Sequence, residues 1–165
     1  MTTELVSLIA NVALSLSFIV GLVFGIAQVR AAARDRRERL TLEAMRNFQT
    51  REFTELMLFV NSHDMPSTRE TMQALSGSDR AMFTQFAQEM EMLGILVAER
   101  FIDLDLVDKT LGSFVSNSWK KYEPVTLNLR ETLPDPYLSE YFQWLAERIQ
   151  KRMKNRPRKP FYESH

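Results

Sequence analysis

No cysteine occurs in the 165 residues. Its absence excludes a disulfide framework, thiolate catalysis and any cysteine-ligated metal site, and it fits a reducing compartment. Histidine is almost as scarce, with only His63 and His165. His63 stands beside Asp64, but a general base needs a positioned partner, and interaction with a helix C-terminal dipole is the simpler expectation. No GxxxxGK[ST], GxGxxG or GxSxG string occurs, so the phosphate-cradling loops and the nucleophile elbow are missing. Asp103, Asp105 and Asp108 in DLDLVD suggest a calcium loop. The glycine of that turn and its late glutamate are absent, and helix capping accounts for all three carboxylates. Glu89 and Glu91 point to different faces of a helix, and Glu-x-x-His does not occur. No metal, cofactor or catalytic residue is expected, and the chain reads as a non-enzyme. Five glycines and six prolines are too few for a fibrous or disordered chain, and no stretch shows strand alternation.

One long stretch lacks charge altogether. From Leu5 to Val29 there are 25 consecutive uncharged residues, bounded by Glu4 and Arg30. As a helix they span about 37 Å, more than the roughly 30 Å hydrocarbon core of a bilayer requires. No basic segment precedes the run, which argues against a cleaved signal peptide. Arg30, Arg34, Arg36, Arg37 and Arg39 crowd its C-terminal side, so the positive-inside rule places the N-terminus outside and the following domain in the cytoplasm. Within the run, Ala13, Ser17, Gly21 and Gly25 recur every four residues and form a ridge of small side chains that lets a second helix approach closely. Ser7, Asn11 and Ser15 form a second row, and the Asn11 carboxamide is costly against lipid unless a neighbouring helix satisfies it.

The formal net charge of zero conceals an uneven layout. Residues 30–39 carry a net +3, residues 40–147 a net −8 and residues 148–165 a net +6. Between the basic segments, apolar residues recur at three-and-four spacing. Leu42, Met45, Phe48, Phe53, Leu56, Phe59 and Val60 predict one long juxtamembrane helix from about 30 to 61. Pro66 suits the first turn of a short helix running to about Leu75. Ser76 to Asp79 is a capping turn, and Phe83, Phe86, Met90, Leu93, Val97 and Phe101 predict a helix over 80–101. Asp103 or Asp105 caps the next, which carries Leu106, Val107, Leu111, Phe114, Val115 and Trp119 and breaks at Pro124. After Leu133-Pro134-Asp135-Pro136 the last helix runs from about Tyr137 to Lys154, burying Leu138, Phe142, Leu145 and Ile149. The expected fold is all-α: one N-terminal transmembrane helix, a long juxtamembrane helix and a compact antiparallel helical bundle. Its expected divisions are an anchor over 1–29, the long helix over 30–63, the bundle over 64–154 and a basic tail over 155–165.

The stretch from Glu89 to Ile149 resembles a bacterial family, the domain-of-unknown-function family numbered 4760. The resemblance rests on the order of an E-x-x-G turn ending a helix (Glu91, Gly94), an I-D-x-x-x-V segment (Ile102, Asp103, Val107), Trp119, Pro124, Arg130, and a terminal F-x-W-L-A helix (Phe142, Trp144, Leu145). FQTREF from Phe48 to Phe53 is similar to the family's opening helix, so the likeness covers roughly residues 45–150. It implies a helical fold, a single membrane helix and a bacterial inner membrane as the setting; it implies no activity. Packing and buried ion pairs are the expected duties of Glu91, Gly94, Trp119, Pro124, Arg130 and Trp144.

Lys151, Arg152, Lys154, Arg156, Arg158 and Lys159 crowd the C-terminal end, followed by Phe161 and Tyr162. Anionic lipid head groups are the expected partner for a tethered chain, and nucleic acid is not. The other expected partner is a second membrane helix, from a copy of this chain or from another protein. The function expected is a non-enzymatic, membrane-anchored interaction module, homo-oligomeric or an accessory subunit of a larger membrane complex. Two other readings stay open: a small oligomeric pore lined by Ser7, Asn11 and Ser15, and an enzyme at the membrane surface whose pocket converges on Glu91, Arg130 or His63.

Overall fold

The computed structural model describes residues 2–158 and 160–163, apart from the side chains of Thr2, Arg37 and Phe161. Lys159 and His165, and the side chain of Arg37, lie outside the described residues. The chain falls into two compact units, Met1–Leu42 and Glu43–His165. Among the described residues there are α-helices and a 3₁₀ turn but no strand, as the sequence predicts.

The first unit is helical from Thr2 onward, as the N-terminal part of helix α1 (Thr2–Asn47). Every residue from Thr3 to Val29 is exposed, and none of the apolar window is buried within the protein. By length and composition this helix is long and apolar enough to cross a membrane.

The second unit holds the rest: α2 (Arg51–Ser62), α3 (Arg69–Gln73), α4 (Gly77–Ala98), α5 (Leu104–Thr110), α6 (Gly112–Thr132), α7 (Glu140–Asn155) and a 3₁₀ turn at Phe161–Glu163. Helix α7 packs on both α4 and α6, α2 lies on α4, and α3 and α5 lie on α6. Where they meet, Phe83, Phe86, Met90, Leu93, Val115, Trp119, Tyr122, Phe142, Leu145 and Ile149 are buried. Phe142 sits among aromatic rings, 5.1 Å from Trp119, 5.8 Å from Tyr122 and 6.1 Å from Phe86, mostly edge to face. Offset and edge-on rings favour this geometry beyond the area they bury.

The helix expected over about 30–61 is continuous with the apolar run as α1 but ends at Asn47. Phe48 to Phe53 is a five-residue step, which advances about 140° beyond a full helical turn and would face Phe53 away from Phe48 in one straight helix. Thr50 resolves the conflict. It adopts an extended conformation, accepts the Phe53 N–H at 3.2 Å and starts α2, bringing the Phe48 and Phe53 rings to 4.9 Å. Phe53, Leu56 and Val60 are thereby buried in the bundle, which begins well before residue 64.

Three further boundaries differ from expectation. The short helix starts at Arg69, where Thr68 and Thr71 form a capping box, rather than at Pro66. The helix expected to run from Asp103 through Trp119 is two, meeting at Leu111. Asp108 closes that junction, because a Cβ on Gly112 would stand 2.7 Å from its Oδ1. Pro124, expected to end a helix, lies inside α6 instead. Its ring is exposed, and Trp119, Tyr122, Val125 and Thr126 on either side are buried, so packing outweighs the one lost backbone hydrogen bond.

Candidate functional site

Four of the family-pattern residues, Glu91, Gly94, Trp119 and Arg130, converge on the start of α7. Ser139 precedes that helix in the left-handed conformation (φ 57°, ψ 34°), and its side chain caps nothing. The free N–H groups of the first turn are taken up by another helix. Glu91 of α4 accepts the Tyr141 N–H at 3.2 Å through Oε1 and the Phe142 N–H at 2.8 Å through Oε2. Its negative charge sits at the positive end of the α7 dipole. One turn on, Gly94 is buried within α4, and a Cβ there would lie 2.3 Å from the Tyr141 carbonyl oxygen. The E-x-x-G pair is thus not a terminal turn: Glu91 grips the α7 backbone, and Gly94 lets it come close enough to be gripped.

Arg130 of α6 holds the approach to the same helix. Its Nε donates to the Leu138 carbonyl at 2.9 Å and its Nη1 to Gln143 Oε1 at 2.7 Å, while Nη2 is buried with no hydrogen-bond partner among the described residues. No ion pair joins Arg130 to Glu91 among the described residues. Trp119 packs edge-on against Phe142, and Trp144 carries Arg148, whose guanidinium carbon lies 5.3 Å from the ring centroid. Glu91, Gly94, Trp119 and Arg130 therefore form a helix-docking joint, occupied by the protein's own backbone.

Two cross-helix caps of the same kind have no sequence signature. Lys121 of α6 reaches the end of α2, donating to the Val60 carbonyl at 2.7 Å and the Asn61 carbonyl at 3.2 Å. Asn128, two turns on, accepts the Arg69 N–H at 2.8 Å at the start of α3. A lysine at the end of a helix can be read from local sequence, but one supplied 60 residues away cannot. His63 is the C-cap of α2: its Nδ1 lies 2.9 Å from the Phe59 carbonyl oxygen, and its ring stacks on Phe59 with centroids 4.2 Å apart. It lies on a different element from Glu91 and Arg130, and all three already have protein partners.

The acidic trio of α5 is divided by role. Asp103 caps the helix, accepting the Asp105 N–H at 2.8 Å. Asp105 pairs with Lys109 and with Arg152 of α7, 2.7 Å from its Nη2. The hydrogen bond from Lys109, reinforced by Arg152, holds the Asp105 carboxyl below the usual aspartate range. Asp108 is buried and lies 3.6 Å from Arg152 Nε, and its carbonyl accepts from Arg158 at 3.1 Å. Arg152 and Arg158, two of the six basic residues near the C-terminus, are thus engaged by α5. Burial pushes the Tyr122 hydroxyl far above the usual phenol range, and that hydroxyl donates to the Phe83 carbonyl at 3.0 Å.

On α1, Gly21 and Gly25 have open space where a Cβ would stand. The hydroxyls of Ser15 and Ser17 donate to the carbonyls of Asn11 and Ala13 at 2.8 Å, so the helix satisfies them internally. The Asn11 carboxamide has no side-chain hydrogen bond among the described residues. Arg34 pairs with Glu38 at 3.0 Å on an exposed face, a contact of little energetic weight.

No curated protein matches the chain, and no solved structure does. A family model for a domain of unknown function (DUF4760) matches residues 15–149, beginning inside the apolar run and so covering more of the N-terminal helix than the resemblance over 45–150 implies. With most of its length matched, the chain belongs to that family.

Proposed function

We propose that this protein is a membrane-anchored, non-enzymatic interaction module of the bacterial cytoplasmic membrane. In this reading α1 crosses the bilayer once, with its N-terminus outside, and the unit from Glu43 onward is the cytoplasmic part. The observation that carries it is the uncharged run from Leu5 to Val29, exposed along its whole length with the small-residue ridge uncovered. An exposed apolar surface of that extent has to be taken out of water, and a bilayer does so without any other protein. The ridge of Ala13, Ser17, Gly21 and Gly25 then supplies close helix association, with a second copy or with a subunit of a larger complex. The Asn11 carboxamide lies on the second row with Ser7 and Ser15, where a further neighbouring helix would satisfy it. The Arg30–Arg39 cluster favours the orientation given.

The test is membrane integration and sidedness of the full-length chain. Membranes carrying it are washed with alkaline carbonate, and sealed inverted vesicles are treated with protease. The proposal expects the chain to stay in the pellet and the unit from Glu43 to be digested in inverted vesicles but protected in right-side-out ones. Release by carbonate contradicts the anchor, and the opposite protection pattern contradicts the orientation.

A further inference from the structure

The sequence presents the C-terminal basic residues as one cluster, but the fold separates them. Arg148, Lys151, Arg152, Asn155 and Arg156 fall at i, i+3, i+4, i+7 and i+8, on one stripe of α7. With Leu104 of α5 they line a groove of about 420 Å³, and no carboxylate is among its lining residues. Arg152 is held by Asp105 and Asp108 at the edge of the groove, which leaves it structural. Arg148, Lys151 and Arg156 are exposed and make no ion pair among the described residues. Trp144, one turn before Arg148, supports that guanidinium through its ring and leaves the N–H donors available. The helix dipole accounts for Arg152 and Lys154 in the last turn and for Arg156 at the C-cap, but its effect has weakened at Lys151 and faded by Arg148. Three cations without an ion pair among the described residues thus line one concavity, in a unit whose body is acidic.

We propose that this groove binds the phosphate of an anionic phospholipid head group, a proposal that rests on the membrane-anchored reading above. Arg148 supplies a planar, preorganised donor pair, and Lys151 and Arg156 supply charge on either side. A tethered domain meets lipid phosphate at a far higher effective concentration than any soluble phosphate ester, which decides between the two sources. The contribution of basic residues near a lipid surface is about 1 kcal/mol each, so the three together favour anionic over zwitterionic lipid by about a hundredfold at low salt.

The experiment uses the full-length protein in detergent, titrated with phosphatidylglycerol or phosphatidylcholine, with bound lipids counted by native mass spectrometry. The unmodified protein should retain phosphatidylglycerol at least tenfold more tightly than phosphatidylcholine. The triple variant Arg148→Gln, Lys151→Gln, Arg156→Gln should lose that preference, and Arg34→Gln with Arg36→Gln should keep it. Equal retention by the triple variant overturns the proposal. So does tight binding of glycerol 3-phosphate without preference for phosphatidylglycerol, which makes the ligand a soluble phosphate ester. Should the triple variant not fold, salt gives an independent reading on the unmodified protein. The preference should fall about tenfold or more between 50 and 500 mM salt, and a salt-independent preference overturns the proposal. Carbonate extraction separates the two ideas: a chain that washes off the membrane sinks the anchor, whereas one that stays but shows no lipid preference sinks only the groove.

Discussion

Glu91 is a single carboxylate doing the work that a local N-cap does in most helices. Ser139 stands at the N-cap position of α7, yet its left-handed backbone removes its side chain from the task, and Glu91 takes the N–H groups of Tyr141 and Phe142 instead. Replacing Glu91 with alanine leaves both donors unmet in a partly buried setting. It should cost about 2 kcal/mol of stability, read as a lower urea midpoint by tryptophan fluorescence from Trp119 and Trp144. Glu91→Gln keeps an acceptor and should cost less. A midpoint unchanged in Glu91→Ala would mean that solvent caps α7 equally well. Gly94 makes the complementary case. A methyl group there meets backbone rather than a yielding side chain, so Gly94→Ala should cost about 3 kcal/mol in the same assay, unless α4 and α7 can separate. These residues stand out in the sequence as an ordered pattern, but a pattern does not say what it touches. Glu91 and Arg130 read there as packing or ion-pair residues, with a pocket as the lesser alternative. Only the placement of α7 against α4 and α6 shows that their partners are a helix end, the loop before it and Gln143.

At the scale of elements, periodicity located α4 and α7, whereas capping chemistry decided where α1 ends and where α5 gives way to α6. The apolar spacing of Phe83 to Val97 is legible as α4, although Ser76 caps it so that it starts at Gly77 rather than at 80. The end of α4 is less so. Arg100 takes the left-handed position that glycine usually fills, with the Phe101 N–H donating to the Leu96 carbonyl at 2.9 Å and the Arg100 N–H to Val97 at 3.1 Å. Arg100→Gly should therefore raise stability by about 1 kcal/mol, seen as a higher melting temperature. A decrease would show that the arginine side chain contributes more than its backbone strain costs. Pro124 looks like a helix break in the sequence because a proline penalty is local, whereas the burial that overrides it comes from α4 and α7.

The α5–α7 contact adds a pH dependence. Lys109 and Arg152 lower the Asp105 pKa in the folded state, so the unfolded chain binds that proton first as pH falls. The stabilisation is complete above the ordinary aspartate value of 3.8 and is lost as pH drops through the lowered folded value. Asp105→Asn should lower the melting temperature most at neutral pH and flatten its dependence below about pH 4, so that the gap to the unmodified protein narrows as pH falls. An unchanged acid limb in Asp105→Asn would place the titration on another carboxylate.

At the scale of the whole molecule, the N-terminal unit and the bundle present different chemistry. The bundle buries its apolar residues against one another, and its conspicuous charged residues close helix ends or join elements. The apolar run of α1 buries nothing within the chain and carries its small residues outward. That difference was plain in the sequence, because a run of 25 uncharged residues has little alternative explanation. The division of the basic residues was not. Arg152 and Arg158 belong to the α5–α7 contact, and Arg148, which lies before the tail, belongs with Lys151 and Arg156.

Native mass spectrometry of the full-length protein, purified gently in detergent from its membrane, tests the central claim most directly. An anchor that assembles through its small-residue ridge predicts a mass above the monomer, as a homo-oligomer or with other subunits. Gly21→Leu with Gly25→Leu should reduce it to the monomer while leaving the bundle folded. A monomer at the outset, or an assembly indifferent to both leucines, would contradict assembly through α1.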